Sequence, residues 1–80
     1  MCREIKQATS KMLRNISGEM NKVKRTSDKE IAQLLGISKT VYSNLLNEKT
    51  TPGIILWYKI ICLHREKVNK EETNLIIENI

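Results

Sequence analysis

Apolar residues recur three and four positions apart at Ile5, Ala8, Met12, Ile16, Met20 and Val23. That spacing draws one stripe along an amphipathic helix over about residues 4–24, and Leu13 widens it. Gly18 falls inside the stripe, costs roughly 1 kcal/mol against Ala, and marks a place for a kink or a break. Thr26, Ser27 and Asp28 then interrupt the pattern. Ser27 followed by Glu30 is a capping box, with the hydroxyl taking the Glu30 N–H and the Glu30 side chain returning to the Ser27 N–H. The second helix is expected over residues 28–35, with Ile31, Ala32 and Leu35 inward and Gly36 ending it in the left-handed conformation.

Ser38 reads as the next N-cap and opens a helix over residues 39–46. Tyr42, Leu45 and Leu46 face inward there, while Lys39, Thr40, Ser43 and Asn44 form a polar face. Residues 47–51 are a polar loop, and Pro52 suits the first turn of another helix. Residues 54–64 are rich in β-branched residues and compatible with a buried strand. Their length and the helices before them favour a helix, apolar nearly all round apart from Lys59, that has to be covered on several sides. Asn69 with Glu72 resembles another capping box, and Glu71 and Glu72 suit the N-terminus of a last helix over residues 70–79 carrying Leu75, Ile76 and Ile77.

The pattern is that of an all-α protein, a compact bundle of four to five helices. Eighty residues and 9.3 kDa leave room for one core, so residues 1–80 read as a single domain. With 40% hydrophobic and 29% charged residues the chain is too apolar for disorder, and three Gly and one Pro are too few for a turn-rich β-sandwich. The apolar runs 54–58 and 60–63, split by Lys59, fall short of the about 20 residues a membrane span needs. The first residues, with Arg3, Glu4 and Lys6, lack the apolar stretch of a signal peptide. The expected location is the cytoplasm, with Cys2 and Cys62 as free thiols and Cys62 a small core hydrophobe.

Candidate chemistry for catalysis is sparse. His64 is the one histidine, no Cys/His cluster offers four metal ligands, and no paired acid and base or activated nucleophile is visible. His64 is expected at a helix C-terminus as a partner of its dipole. Trp57, amid aliphatic residues, is expected in the core or at a dimer seam. No catalytic residue, metal, cofactor or small-molecule ligand is expected, and an enzyme is disfavoured.

The charge is uneven. Residues 1–49 hold ten Lys and Arg against five acids, and residues 50–80 hold four against four, so the whole net charge of +5 lies in the first part. Such an excess suits a polyanionic partner or a solvated face. The Lys22–Arg25 run is favourable charge at a helix C-terminus.

The informative segment is residues 27–47, S-D-K-E-I-A-Q-L-L-G-I-S-K-T-V-Y-S-N-L-L-N: a short helix, a turn centred on Gly36, and a second short helix. Ala32 is small where the helices cross, Gly36 allows the sharp turn, and Ile37 and Leu45 plug the angle. This resembles the helix-turn-helix of the lambda-repressor/Cro-like, or XRE, family. The chain continues with N-E-K-T-T-P at residues 47–52 and W-Y-K-I at residues 57–60, similar to the family's loop and following helix. Ile16, Met20 and Val23 fit its first helix. The likeness covers about residues 14–64, leaving an N-terminal helical extension at 1–13 and a C-terminal helix at about 69–80.

The resemblance implies a sequence-specific double-stranded DNA binder acting as a transcriptional regulator, with the helix over residues 39–46 in the major groove. It implies base contacts from Lys39, Thr40, Ser43 and Asn44: Lys39 to guanine, Asn44 to adenine, and Thr40 to a thymine methyl. It implies phosphate contacts from Ser27, Lys29, Ser38 and Lys49, with Lys22, Lys24 and Arg25 as weaker candidates. The chain departs from the family at three points. Asp28 stands where the family often has a phosphate-gripping Gln, the family's loop Gly is either replaced by Glu48 or absent, and Tyr42 replaces an aliphatic residue.

Residues 54–63 and 68–80 offer more apolar surface than a small helical domain readily buries. A homodimer would cover it and set two recognition helices about 34 Å apart; a long first helix folding back is the alternative. A protein-interaction or antitoxin-like module on the same fold is the competing function. The N-terminal extension has three possible partners, DNA, another protein or the core, although Glu4, Ile5 and Met12 have the look of an ordinary helix.

Overall fold

The computed structural model describes residues 2–80, and of residue 2 the backbone alone, so the expectation for the Cys2 thiol lies outside the described residues. Five helices follow one another: α1 Cys2–Val23, α2 Asp28–Leu35, α3 Lys39–Leu46, α4 Ile54–Lys67 and α5 Lys70–Glu78. No strand occurs among the described residues. The fold is all-α, as the periodicity predicts, and residues 54–64 are helical.

The core explains that outcome. Met12, Leu13, Ile16, Ile31, Leu35, Tyr42, Leu45 and Ile60 are closed to solvent, with Leu56, Trp57, Ile61 and Leu63 packed half-buried against them. α1 packs on α4 and α3, α5 packs on α4 and α1, and α2 packs on α3 and α4. The long first helix thus covers much of the apolar surface of α4. Ile54, Ile55 and Tyr58 on its first turns stay exposed.

Four local expectations are corrected. α1 runs through Gly18 without a break, because Gly18 is exposed and the flanking turns are anchored by Ile16 and Met20. Val23, placed on the core stripe, is 91% exposed: the chain turns at residues 24–27 and α2 packs its Ile31 and Leu35 elsewhere. Pro52 stands before the Gly53 N-cap rather than in the first turn of α4. His64 stands in the last turn of α4, as expected, but as a buried ring rather than a charged partner of the helix dipole. α4 continues one turn further than expected, and α1 and α5 close over the ring, which is fully buried.

The caps form largely as read. Ser27, Ser38 and Asn69 each accept the N–H three residues on, from Glu30, Val41 and Glu72, at 3.3, 3.2 and 2.7 Å. The return bonds from the Glu30 and Glu72 side chains are not made among the described residues. Asn21, which the periodicity does not single out, holds the α1–α2 turn: its Oδ1 accepts the Thr26 N–H at 2.8 Å. No described helix is long and apolar enough to cross a membrane, and no described cluster of His, Cys, Asp and Glu could hold a metal ion.

Candidate nucleic-acid interface

The two short helices of the central motif end in the same way. At the end of α2, Gly36 has φ +71°; its N–H donates to the Gln33 carbonyl and the Ile37 N–H to the Ala32 carbonyl. At the end of α3, Glu48 has φ +60°; its N–H donates to the Leu45 carbonyl and the Lys49 N–H to the Asn44 carbonyl. Both are left-handed closures that satisfy the last carbonyls of a helix. Glu48 therefore occupies the conformation for which glycine is suited, and carries a strain cost that glycine avoids.

α3 is held from below by Tyr42 and Leu45, both buried, and by the half-buried Leu46. Burial pushes the Tyr42 phenol up to about 12, with the Asp28 carboxylate adding to the effect. Its hydroxyl is enclosed without a hydrogen-bond partner among the described residues. The opposite face carries Lys39, Thr40 and Ser43, all exposed, and Asn44, half-buried. No acid lies within α3. Lys39 has no ion pair among the described residues.

The Ser43 hydroxyl is steered by a residue of the polar loop. Asn47 Nδ2 donates to the Ser43 carbonyl at 2.9 Å and to its Oγ at 3.3 Å, which leaves the Ser43 O–H free to donate outward. Asn47 is not among the expected site residues, and its four-residue spacing from Ser43 is the signal that could have found it. Val41, 39% exposed, adds an apolar element beside the polar face.

Ser27, Lys29, Ser38 and Lys49 are all exposed. Ser27 and Ser38 each accept one capping hydrogen bond and keep an O–H to donate. Ser38 and Lys49 bracket α3, whereas Ser27 and Lys29 stand at the start of α2 beside Asp28. Lys22, one of the weaker candidates, pairs with Glu19 at 3.1 Å on α1. An acid-free, capped helix with donors on its outer face and cationic or hydroxyl groups at both ends has the chemistry to read base edges between two phosphate strands.

The helix-turn-helix family model matches residues 19–65, more than half of the chain. No curated protein and no solved structure matches it. The matched segment runs from the end of α1 to the end of α4 and takes in both left-handed closures and all eight expected DNA-facing residues. The chain belongs to the helix-turn-helix family of the Cro/C1, or XRE, type, a family of DNA-binding regulators of transcription.

Proposed function

We propose that this protein is a sequence-specific repressor of the small phage or plasmid type, working in the cytoplasm as one domain that lays α3 in the major groove of double-stranded DNA. The observation that carries the reading is the outer face of α3, with Lys39, Thr40 and Ser43 exposed and no acid in the helix. Lys39 donates to guanine O6 and N7, Asn44 pairs with adenine, Thr40 meets a thymine methyl, and Ser43 serves either base. Ser27, Lys29, Ser38 and Lys49 take phosphates and set the register.

The reading includes a homodimer. Ile54, Ile55 and Tyr58 are exposed together at the start of α4, beside a cleft of about 430 Å³ that Gly36, Ile37 and Lys59 also line. Three large apolar side chains next to the turn of the motif are an interaction surface. A second copy seated there gives two α3 helices about 34 Å apart, one turn of duplex. The same apolar face supports the second reading, a protein-interaction or antitoxin-like module whose partner is a different chain.

Fluorescence anisotropy of a random duplex of about 30 base pairs, titrated at low and high salt, tests the DNA reading. Binding at low salt that weakens steeply as salt rises is expected. Absence of binding at low salt overturns it. Sedimentation of the same sample decides between a second copy and a foreign partner: a monomer at working concentration, with duplex or without, removes the homodimer.

A further inference from the structure

Most of α1 precedes the matched segment, which begins at residue 19. That part of the helix is neither a free arm nor simply a cover for the core. Ala8, Thr9, Met12 and Leu13 are buried against the other helices. Ser10, also buried, donates from Oγ to the Leu46 carbonyl at 2.7 Å. This bond pins the middle of the extension to the C-terminal end of the recognition helix, 36 residues away.

The residues beside Ser10 on α1 are Arg3, Gln7, Lys11 and Arg14. Their spacings of three and four put them on one face, and all four are exposed. Gln7, Lys11 and Arg14 share a groove of about 240 Å³ with Glu48, the neighbour of Lys49 in the loop after α3. Among the described residues, Glu48 is the one carboxylate lining that groove, and neither Lys11 nor Arg14 has an ion pair. From Arg3 to Arg14 the stripe runs about 16 Å along the helix.

We infer that this stripe is a second nucleic-acid contact, a rail of cationic and amide donors that takes backbone phosphates of the duplex beyond the end of α3. The inference rests on the reading that α3 lies in the major groove. It follows from the fixed attachment of α1 to α3: a duplex seated on the outer face of α3 and on Lys49 continues past the groove where Lys11 and Arg14 wait. The chemistry is that of charge-assisted donors on phosphate oxygens, without base readout.

The test compares the salt dependence of random-duplex binding in the parent and three variants of the full chain. In the double variant Lys11→Gln/Arg14→Gln the slope of log affinity against log salt falls in magnitude by up to about 1.8, about 0.9 for each phosphate no longer neutralised. The double variant Arg65→Gln/Lys70→Gln, with the same change in net charge, keeps the parent slope. Lys11→Arg/Arg14→Lys keeps it too. Circular dichroism checks that each form is folded. An unchanged slope in Lys11→Gln/Arg14→Gln, while the parent still binds, overturns the rail and leaves the DNA-binding reading intact. An equal drop in the Arg65/Lys70 form also overturns it, since net charge alone then accounts for the effect. A parent that binds no duplex overturns both.

Discussion

The Nδ1 atom of His64 lies 2.6 Å from the Thr73 hydroxyl, inside the seam where α1, α4 and α5 meet. Thr73 donates its own proton to the Asn69 carbonyl at 2.8 Å, so its oxygen accepts from His64 Nδ1–H. On the other side, Nε2 faces Asn15 Nδ2 at 3.2 Å and accepts from it. Both contacts call for the neutral ring with its proton on Nδ1. Burial favours the same form: it lowers the His64 pKa below 6.5, and the nearby Glu72 carboxylate opposes this only in part.

A neutral buried histidine makes stability depend on pH. Between the unfolded value near 6.5 and the lower folded value, the unfolded chain binds more protons than the native one. The contribution is therefore complete above pH 6.5 and is lost as pH falls through the folded value. Urea midpoints measured between about pH 7.5 and pH 5 are expected to decline below pH 6.5 in the parent. In His64→Gln the decline over that window disappears, because this is the only histidine. A flat parent profile refutes the assignment of the ring as neutral.

Tyr42 carries a hydroxyl with no partner among the described residues, in a closed core. Tyr42→Phe removes that desolvated group and keeps the ring. Its stability is expected to match or exceed the parent, by up to about 1 kcal/mol. In the parent, absorbance titration should show the Tyr42 phenol ionising only near pH 12. A loss of more than about 1 kcal/mol in Tyr42→Phe would mean that the hydroxyl is satisfied after all.

Gly18 is exposed in mid-helix, and a side-chain methyl there would meet no described residue within 4 Å. Gly18→Ala is expected to stabilise the protein by about 0.5–1 kcal/mol, read as a higher urea midpoint with unchanged slope. Destabilisation would show that the glycine serves a close approach of another surface.

Glu48 sits at φ +60° with its charge beside the end of α3. Glu48→Gly relieves the conformational cost, with an expected net gain of about 0.5–1 kcal/mol. Glu48→Gln leaves the backbone strain and removes only the charge. Both variants are expected to bind duplex more tightly than the parent, and only Glu48→Gly to be more stable. Equal affinity in all three would place this loop away from the phosphates.

The outer face of α3 is tested one residue at a time. Lys39→Ala and Asn44→Ala are each expected to weaken binding to a selected operator by about 1–3 kcal/mol and to affect random duplex less. Competition binding against both duplexes measures the ratio. If both variants hold operator as firmly as the parent, the recognition helix has been misassigned.

Periodicity and turn chemistry act over a few residues, so they were legible. The stripe of α1, the Ser27, Ser38 and Asn69 caps, the Gly36 turn and the division of α3 into Tyr42 and Leu45 inward against Lys39, Thr40 and Ser43 outward all follow from spacing and residue type. The left-handed Glu48 was legible only through its place in the motif, since glutamate gives no local signal for positive φ.

What the tertiary structure alone decided depends on contacts between distant positions. Whether Val23 finds a neighbour depends on where α2 packs, and whether His64 is solvated depends on α1 and α5 closing over it. The extension docks through the burial of Ala8, Thr9, Met12 and Leu13 together with the bond from Ser10 to Leu46, between residues with no mutual pattern in the chain. Local propensity sets which segments become helices and which faces are apolar. The assignment of those faces to particular neighbours is made by mutual burial, which no window of sequence contains.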